Sequence, residues 1–327
     1  MMRALRLHGT NGIEDLAIDE VELGPVAEGE ALVRVHAAAL TRDELDWPVD
    51  RLPAVPSYEL SGTVVEVAPG VTEVAPGYEV FALTGFDRDG VAADYSLVPA
   101  RFLAQKPRAL GHVESAAIPL AGLSAWQALF GHGGLQAGER VLVHGATGGV
   151  GHLATQLAHR RGAYVIGTVS GPDTKTAREL GADEVVDRSS TRFEDAVDDV
   201  DLVFDTVGGD VLVRSAEWLR EGGRLVSVAE EPPDGSGGTY FVVEPNRAQL
   251  GELARLADEG VVRPVVDSIF DLDDARAAFE RVSARGKSGK VVLRVAAAQA
   301  APSASASRAS SNAPSTPARS PSAGATT

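Results

Sequence analysis

The chain contains no cysteine. Disulfides, a four-cysteine zinc lobe and a thiol nucleophile are therefore excluded. Cations are scarce: 30 Lys and Arg stand against 46 Asp and Glu, a formal net charge of −16. Nucleic acid and anionic membrane are poor partners for such a surface, since both need cations laid against phosphate. No apolar run reaches the roughly 18 residues of a spanning helix. The opening MMRALRLHGTNG lacks the apolar stretch of a secretory signal, so a cytoplasmic location is expected. Aromatic residues make up only 5% of the chain, so its 44% hydrophobic content must build an aliphatic core. The length of 327 residues suggests about two domains.

What is present centres on AGERVLVHGATGGVGHLATQLAHRRGAYVIGT, residues 137–168. An apolar run at Val141–Val143 leads into glycines at 145, 148, 149 and 151. Val150, Leu153, Ala154, Leu157 and Ala158 then recur at helical spacing, and a second apolar run follows at Tyr164–Ile166. Strand, glycine turn, helix and strand make one βαβ unit. This pattern suits a dinucleotide. Gly148 lets backbone approach a pyrophosphate, Gly151 lets the helix pack on the strand, and the helix N-terminus offers free N–H groups. Ala146 replaces the first glycine of the usual fingerprint.

Before this unit, residues 1–118 read as short strands (Met2–Leu7, Ala31–Ala39, Thr63–Val67, Glu79–Leu83) between Pro/Gly turns. Residues 114–130 read as helix, broken by Pro119 and Gly122. After Thr168, helices (Thr176–Leu180, Val211–Leu219, Leu250–Glu259) alternate with strands (Glu184–Val186, Leu202–Asp205, Arg224–Ala229), which predicts a parallel sheet covered on both faces. A strand at Val261–Ile269, a helix at Leu272–Val282 capped by Asp271 or Asp273, and a last strand at Lys290–Val295 should return to the first domain. Residues 298–327 hold no bulky apolar side chain and read as a disordered Ala/Ser/Pro tail.

Seven stretches in this order resemble the zinc-independent quinone oxidoreductase branch, zeta-crystallin-like, of the medium-chain dehydrogenase/reductase superfamily: YELSGTVVEVAPGV (58–71), AAIPLAGLSAWQALF (116–130), GERVLVHGATGGVGHLATQLA (138–158), LGADEVVD (180–187), FDTVGGDVL (204–212), GGRLVSVA (222–229) and GKVVLRV (289–295). The resemblance implies an α/β protein: a GroES-like β-rich catalytic domain from 1–118 and 263–297, and a Rossmann doubly wound parallel-sheet domain at 119–262. It also implies a homodimer.

Zinc-dependent members carry Cys-x-x-Asp and Gly-His-Glu elements. At the matching places this chain has Thr41 and Tyr58, leaving Glu59 alone, so no metal is expected. Thr41 and Tyr58 are the candidate catalytic residues, the Tyr58 hydroxyl as hydrogen-bond donor or proton source. The positions that would hold cofactor are Ser124, Thr147, Gly148, Gly149, Val150, Val207, Gly208, Val228 and Lys290; Ser124 also suits a cap for a helix over 125–130. The second strand of the unit ends without the carboxylate that grips an NAD ribose, which favours NADP(H). Ser170, Lys175 and Arg188 are the candidate phosphate ligands, because Pro172 stands where relatives often have Lys. The seven histidines gain no partner from the sequence. The expected activity is NADPH-dependent, metal-free hydride transfer to a quinone or α,β-unsaturated carbonyl. Alternatives are an enoyl reductase tailoring a polyketide-like metabolite and an NADP(H)-binding protein with little turnover.

Overall fold

Two large sheets organise the chain, seen in a computed structural model that describes residues 1–47 and 50–295. The segment expected to be a disordered tail, 298–327, lies outside the described residues. One sheet has six strands in the spatial order Glu184–Asp187, Tyr164–Val169, Arg140–His144, Val200–Asp205, Leu219–Ser227 and Thr239–Tyr240, every neighbouring pair parallel. Its central strands are near-continuous apolar runs because helices cover both faces; all six residues of Val200–Asp205 are buried. In chain order this is 3-2-1-4-5-6, with the switch point between Arg140–His144 and Val200–Asp205. Ligands bind outside the carboxyl ends of those two strands, here at Gly145 and at Val207.

The other sheet runs Val266–Asp271, Lys290–Arg294, Glu30–Leu40, Glu59–Val67, Glu79–Leu83 and Ala104–Gln105, with Tyr95–Pro99 paired to the first half of Glu30–Leu40. It is antiparallel except for its first pair, which is linked by the helix Ala275–Ser283. The chain thus leaves this sheet, builds the parallel one and comes back, which sets Lys290 beside residues of the first hundred. A continuous apolar core joins the two sheets, with Tyr58, Phe81 and Leu83 packed into the same cluster as Ile118, Leu123, Val143 and Leu153.

The helical stretch is interrupted just before Pro119, as expected: the short helix His112–Ala116 ends and Pro119 opens a second, Pro119–Trp126. Several local expectations are corrected. Gly122 is no breaker. It is a contact point, where an added Cβ would stand 2.9 Å from Leu253 and 3.1 Å from Ile118. Ser124 therefore lies inside a helix and caps nothing. Neither Asp271 nor Asp273 makes a side-chain cap; Asp271 pairs with Arg294 at 2.8 Å instead. The strand expected from Val261 begins at Val266, because the Val261 and Val262 amides both close the preceding helix on Leu256 O. The helix expected over 211–219 is Asp210–Ser215 continued by a 3-10 turn, Ala216–Trp218, and only Leu219 differs, belonging already to a strand.

Candidate functional site

The glycine turn shows why each small residue is needed. Gly145 has φ +73°, a left-handed conformation that favours glycine. An added Cβ on Gly151 would stand 2.0 Å from Gly145 O, so only glycine lets the helix Gly151–Arg161 start so close to the strand. Ala146, out of place in the usual fingerprint, fits because its neighbour is Gly167, whose added Cβ would stand 2.7 Å from Ala146 Cβ. Among the described residues, the Gly149 and Val150 amides donate to no protein acceptor. These free N–H groups at a helix N-terminus suit a pyrophosphate, so the turn fits a dinucleotide.

Ser170 and Arg188 meet at the end of the second strand, where an adenosine ribose would lie. Arg188 Nη2 donates to Ser170 Oγ at 3.1 Å, and its Nε is buried without a partner among the described residues. Lys175 is not part of this group: it faces solvent and pairs with Glu179 at 3.5 Å. Thr147 Oγ1 donates to Asp173 Oδ2 at 3.4 Å, which brings a carboxylate back toward the turn.

Across the switch point, the Asp205 carboxylate accepts from the amides of Val207 and Gly208 and from Ser227 Oγ. Burial pushes its carboxyl up from the usual carboxylate range. The clip holds the Val207–Gly208 turn, with Gly208 at φ +76°, and Val228 donates its amide to Asp205 O. Val207 stays exposed, while Ser124 is buried on the helix behind the switch point.

The catalytic candidates sit where the returning strand enters. Gly289 N donates to Thr147 O at 2.8 Å, which fastens that strand to the glycine turn. The next residue, Lys290, runs past Gly149, whose added Cβ would stand 3.5 Å from Lys290 Cδ. Lys290 Nζ then lies 2.6 Å from Glu59 Oε1 and donates to Thr41 Oγ1 at 3.0 Å. The pair is nearly sealed, with 4% and 1% of the two side chains exposed. Glu59 Oε2 also accepts from Leu120 N at 2.8 Å, so three separated stretches converge on one carboxylate.

Glu44 completes the cluster. Its Oε2 accepts from Thr41 N at 2.9 Å, whereas Oε1 is buried with no partner among the described residues. Burial, reinforced by the charge of Glu59, pushes this carboxyl up to about 8 although Thr41 N–H and Lys290 oppose the rise. Lys287 is pushed down to about 8 by burial and then by the charges of Lys290 and Arg42. Glu44 thus lies near the Lys290–Glu59 pair without contacting Lys290, and its burial favours the protonated form.

Tyr58 follows Ser57, whose φ of +63° is unusual for a residue with a side chain. Gly90 makes room for this kink, since its added Cβ would stand 2.0 Å from Ser57 O. The kink drives the Tyr58 ring into the core, fully buried between Trp47 and Phe86 at centroid distances of 5.6 and 5.2 Å. Its hydroxyl accepts from Arg51 Nη2 at 3.1 Å, and burial raises its proton affinity. Thr41 and Lys290 are therefore in contact, whereas Tyr58 belongs to an aromatic wall beside them. Sequence reasoning missed Glu44, Arg51 and the Lys290 contacts. The one available signal was the lone Glu59, a buried-strand carboxylate in need of a cation.

This arrangement does not fit zinc. The hydroxyls standing in the ligand places are already bound by cations, Thr41 by Lys290 and Tyr58 by Arg51. The one carboxylate there is paired with an ammonium, so a divalent ion would be set against a buried positive charge.

The family model "Alcohol dehydrogenase GroES-like domain" matches residues 27–108, and "Zinc-binding dehydrogenase" matches 180–293. The chain is 33% identical to the "NADPH-dependent alkenal/one oxidoreductase, chloroplastic" of Arabidopsis thaliana, over 89% of this chain and 79% of that one. It is 32% identical to a segment of the "Spectinabilin polyketide synthase system protein NorB" of Streptomyces orinoci, over 82% of this chain but 13% of that protein. The solved quinone oxidoreductase from Coxiella burnetii superposes with a TM-score of 0.83 at 29% identity, over 90% of this chain and 99% of that one. The chain belongs to the medium-chain dehydrogenase/reductase superfamily, in its quinone oxidoreductase branch. Its class is that of an oxidoreductase that binds a nicotinamide cofactor.

Proposed function

We propose that this protein uses NADPH to reduce a quinone or an α,β-unsaturated carbonyl in the cleft between its two sheets. The observation that carries the reading is the position of Lys290. One side chain runs past the glycine turn that fits the cofactor and donates to the Thr41 hydroxyl. The bound nicotinamide supplies the hydride. Acceptors already conjugated to a carbonyl need positioning and hydrogen-bond donors more than a Lewis acid. Thr41 provides such a donor, and the half-buried rings of Trp47 and Phe86, packed edge to face, offer flat apolar surface. The Arg188–Ser170 pair, with its unpartnered Nε, supports a 2′-phosphate and so NADPH.

A second nucleotide reading, NADH, draws on Asp173, which leans toward the turn through Thr147. A second substrate reading, reduction of an enoyl intermediate of polyketide type, draws on the similarity to the NorB segment. The deciding experiment follows oxidation of NADPH and of NADH with 1,4-benzoquinone, an alkyl enone and an enoyl thioester. Binding of both nucleotides without oxidation by any acceptor defeats the enzymatic reading. A homodimer belongs to the same proposal. Thr239–Tyr240 closes one edge of the parallel sheet with Tyr240 and Val242 exposed, and light scattering on the purified protein reads the mass.

A further inference from the structure

We infer that Lys290, acting through the Thr41 hydroxyl, supplies the proton that completes reduction of an α,β-unsaturated carbonyl; the inference rests on the activity proposed above. A threonine hydroxyl has one proton to give and two lone pairs. One lone pair of Thr41 is taken by Lys290 Nζ at 3.0 Å, which leaves the hydroxyl proton to point away from the ammonium. Among the described residues, no protein group accepts that proton. Thr41 is half-buried whereas Lys290 is 4% exposed, so of the two groups Thr41 is the more open to solvent. Both ends of the path are fixed: Thr41 N is tied to Glu44, and Lys290 is held by Glu59 and by its own amide on Val265 O.

The chemistry balances. A bound dihydronicotinamide would supply hydride, its C4–H bond breaking as a C–H bond forms at the β-carbon; the C=C pair then becomes the enolate C=C and the carbonyl π pair moves to oxygen. The enolate oxygen takes the Thr41 proton as that O–H bond breaks, and Thr41 takes one from Lys290 as an N–H bond breaks. The enol leaves and becomes the ketone in water. Lys290, now an amine beside the Glu59 carboxylate, takes a proton back from the Thr41 hydroxyl, which takes one from water at its more exposed side. A quinone has less need of the path, because hydride addition leaves an aromatic phenolate, a far weaker base than an enolate.

The test compares Thr41→Val, Thr41→Ser and Lys290→Arg with the wild type. Each is assayed for kcat with an enone and with a quinone, for nucleotide affinity by fluorescence titration, and for melting temperature. Arginine keeps the charge opposite Glu59 but does not release a proton. The enone-to-quinone ratio of kcat should fall about 100-fold in Thr41→Val and in Lys290→Arg. It should return in Thr41→Ser, with nucleotide affinity and melting temperature held in both Thr41 variants; Lys290→Arg is read on the same ratio alone, because Lys290 also borders the glycine turn and pairs with Glu59. A ratio unchanged in Thr41→Val, or a loss not rescued by serine, overturns the relay and leaves the proposed activity standing. A wild type that binds nucleotide yet reduces neither acceptor overturns both.

Discussion

Lys290 Nζ and Glu59 Oε1 stand 2.6 Å apart in an almost water-free site, joining the strand Lys290–Arg294 to the strand Glu59–Val67. Breaking a buried pair by neutralising one partner leaves an uncompensated charge, at a cost of about 3–5 kcal/mol. Glu59→Gln should therefore lose about that much in urea unfolding, and Glu59→Gln with Lys290→Met should recover most of it. A single-variant loss under about 1 kcal/mol would show that water reaches the pair.

The nucleotide preference is expected to rest on Arg188. A charge-assisted hydrogen bond contributes about 1.5–3 kcal/mol, so Arg188→Ala should weaken NADPH binding about 10- to 100-fold. NADH binding should be nearly unchanged. Equal effects on both nucleotides, read by fluorescence titration, would place Arg188 away from the 2′-phosphate.

Gly151→Ala pushes a methyl group to 2.0 Å from Gly145 O, inside the phosphate turn. The helix must shift, and overpacking of this kind costs about 1–3 kcal/mol. Nucleotide affinity should fall at least about tenfold, one factor per 1.4 kcal/mol. Gly131→Ala is the control, because nothing lies within 4 Å of its added Cβ. Similar behaviour of the two variants would mean that the close approach does not matter.

Between about pH 4 and 8, stability should be greatest near pH 6.5. Glu44 is pushed up to about 8 from an ordinary 4.5, so the folded state keeps a proton that the unfolded chain has released. That contribution is complete below about 4.5 and is lost as pH rises to 8, at up to about 1.4 kcal/mol per pH unit. His144 and His152 behave oppositely. Burial pushes them down from 6.5 to about 3 and about 4, so their contribution is complete above about 6.5 and is lost as pH falls toward those values. Glu44→Gln should flatten the alkaline arm alone in urea unfolding at a series of pH values. An alkaline arm that persists in the variant would assign it to another group.

Much of the architecture was legible in the chain itself. The apolar runs at Val141–Val143, Tyr164–Ile166 and Leu202–Asp205 dictated a sheet buried on both faces, since no alternating polar face was present to meet water. The spacing of Gly145, Gly148, Gly149 and Gly151 named the ligand-binding turn because its requirement is local: a left-handed residue and a helix start with no Cβ in the way. Ser170 and Arg188 were also within reach, as both stand at the ends of adjacent parallel strands.

Tertiary structure alone decided the rest. Nothing near Thr41 in sequence marks Lys290 as its partner, 249 residues away, and only the return of the last strand beside Glu30–Leu40 brings them together. His36 and His112, which had no partner in the sequence, stack at 4.2 Å because one strand and one helix cross. Tyr58 turned inward for a reason that spacing does not record: a left-handed kink at Ser57, accommodated by Gly90 from another loop. Periodicity and turn chemistry are local and can be read along the chain. Which buried charge meets which depends on how distant strands close on one another, and that closure determined the candidate chemistry of this site.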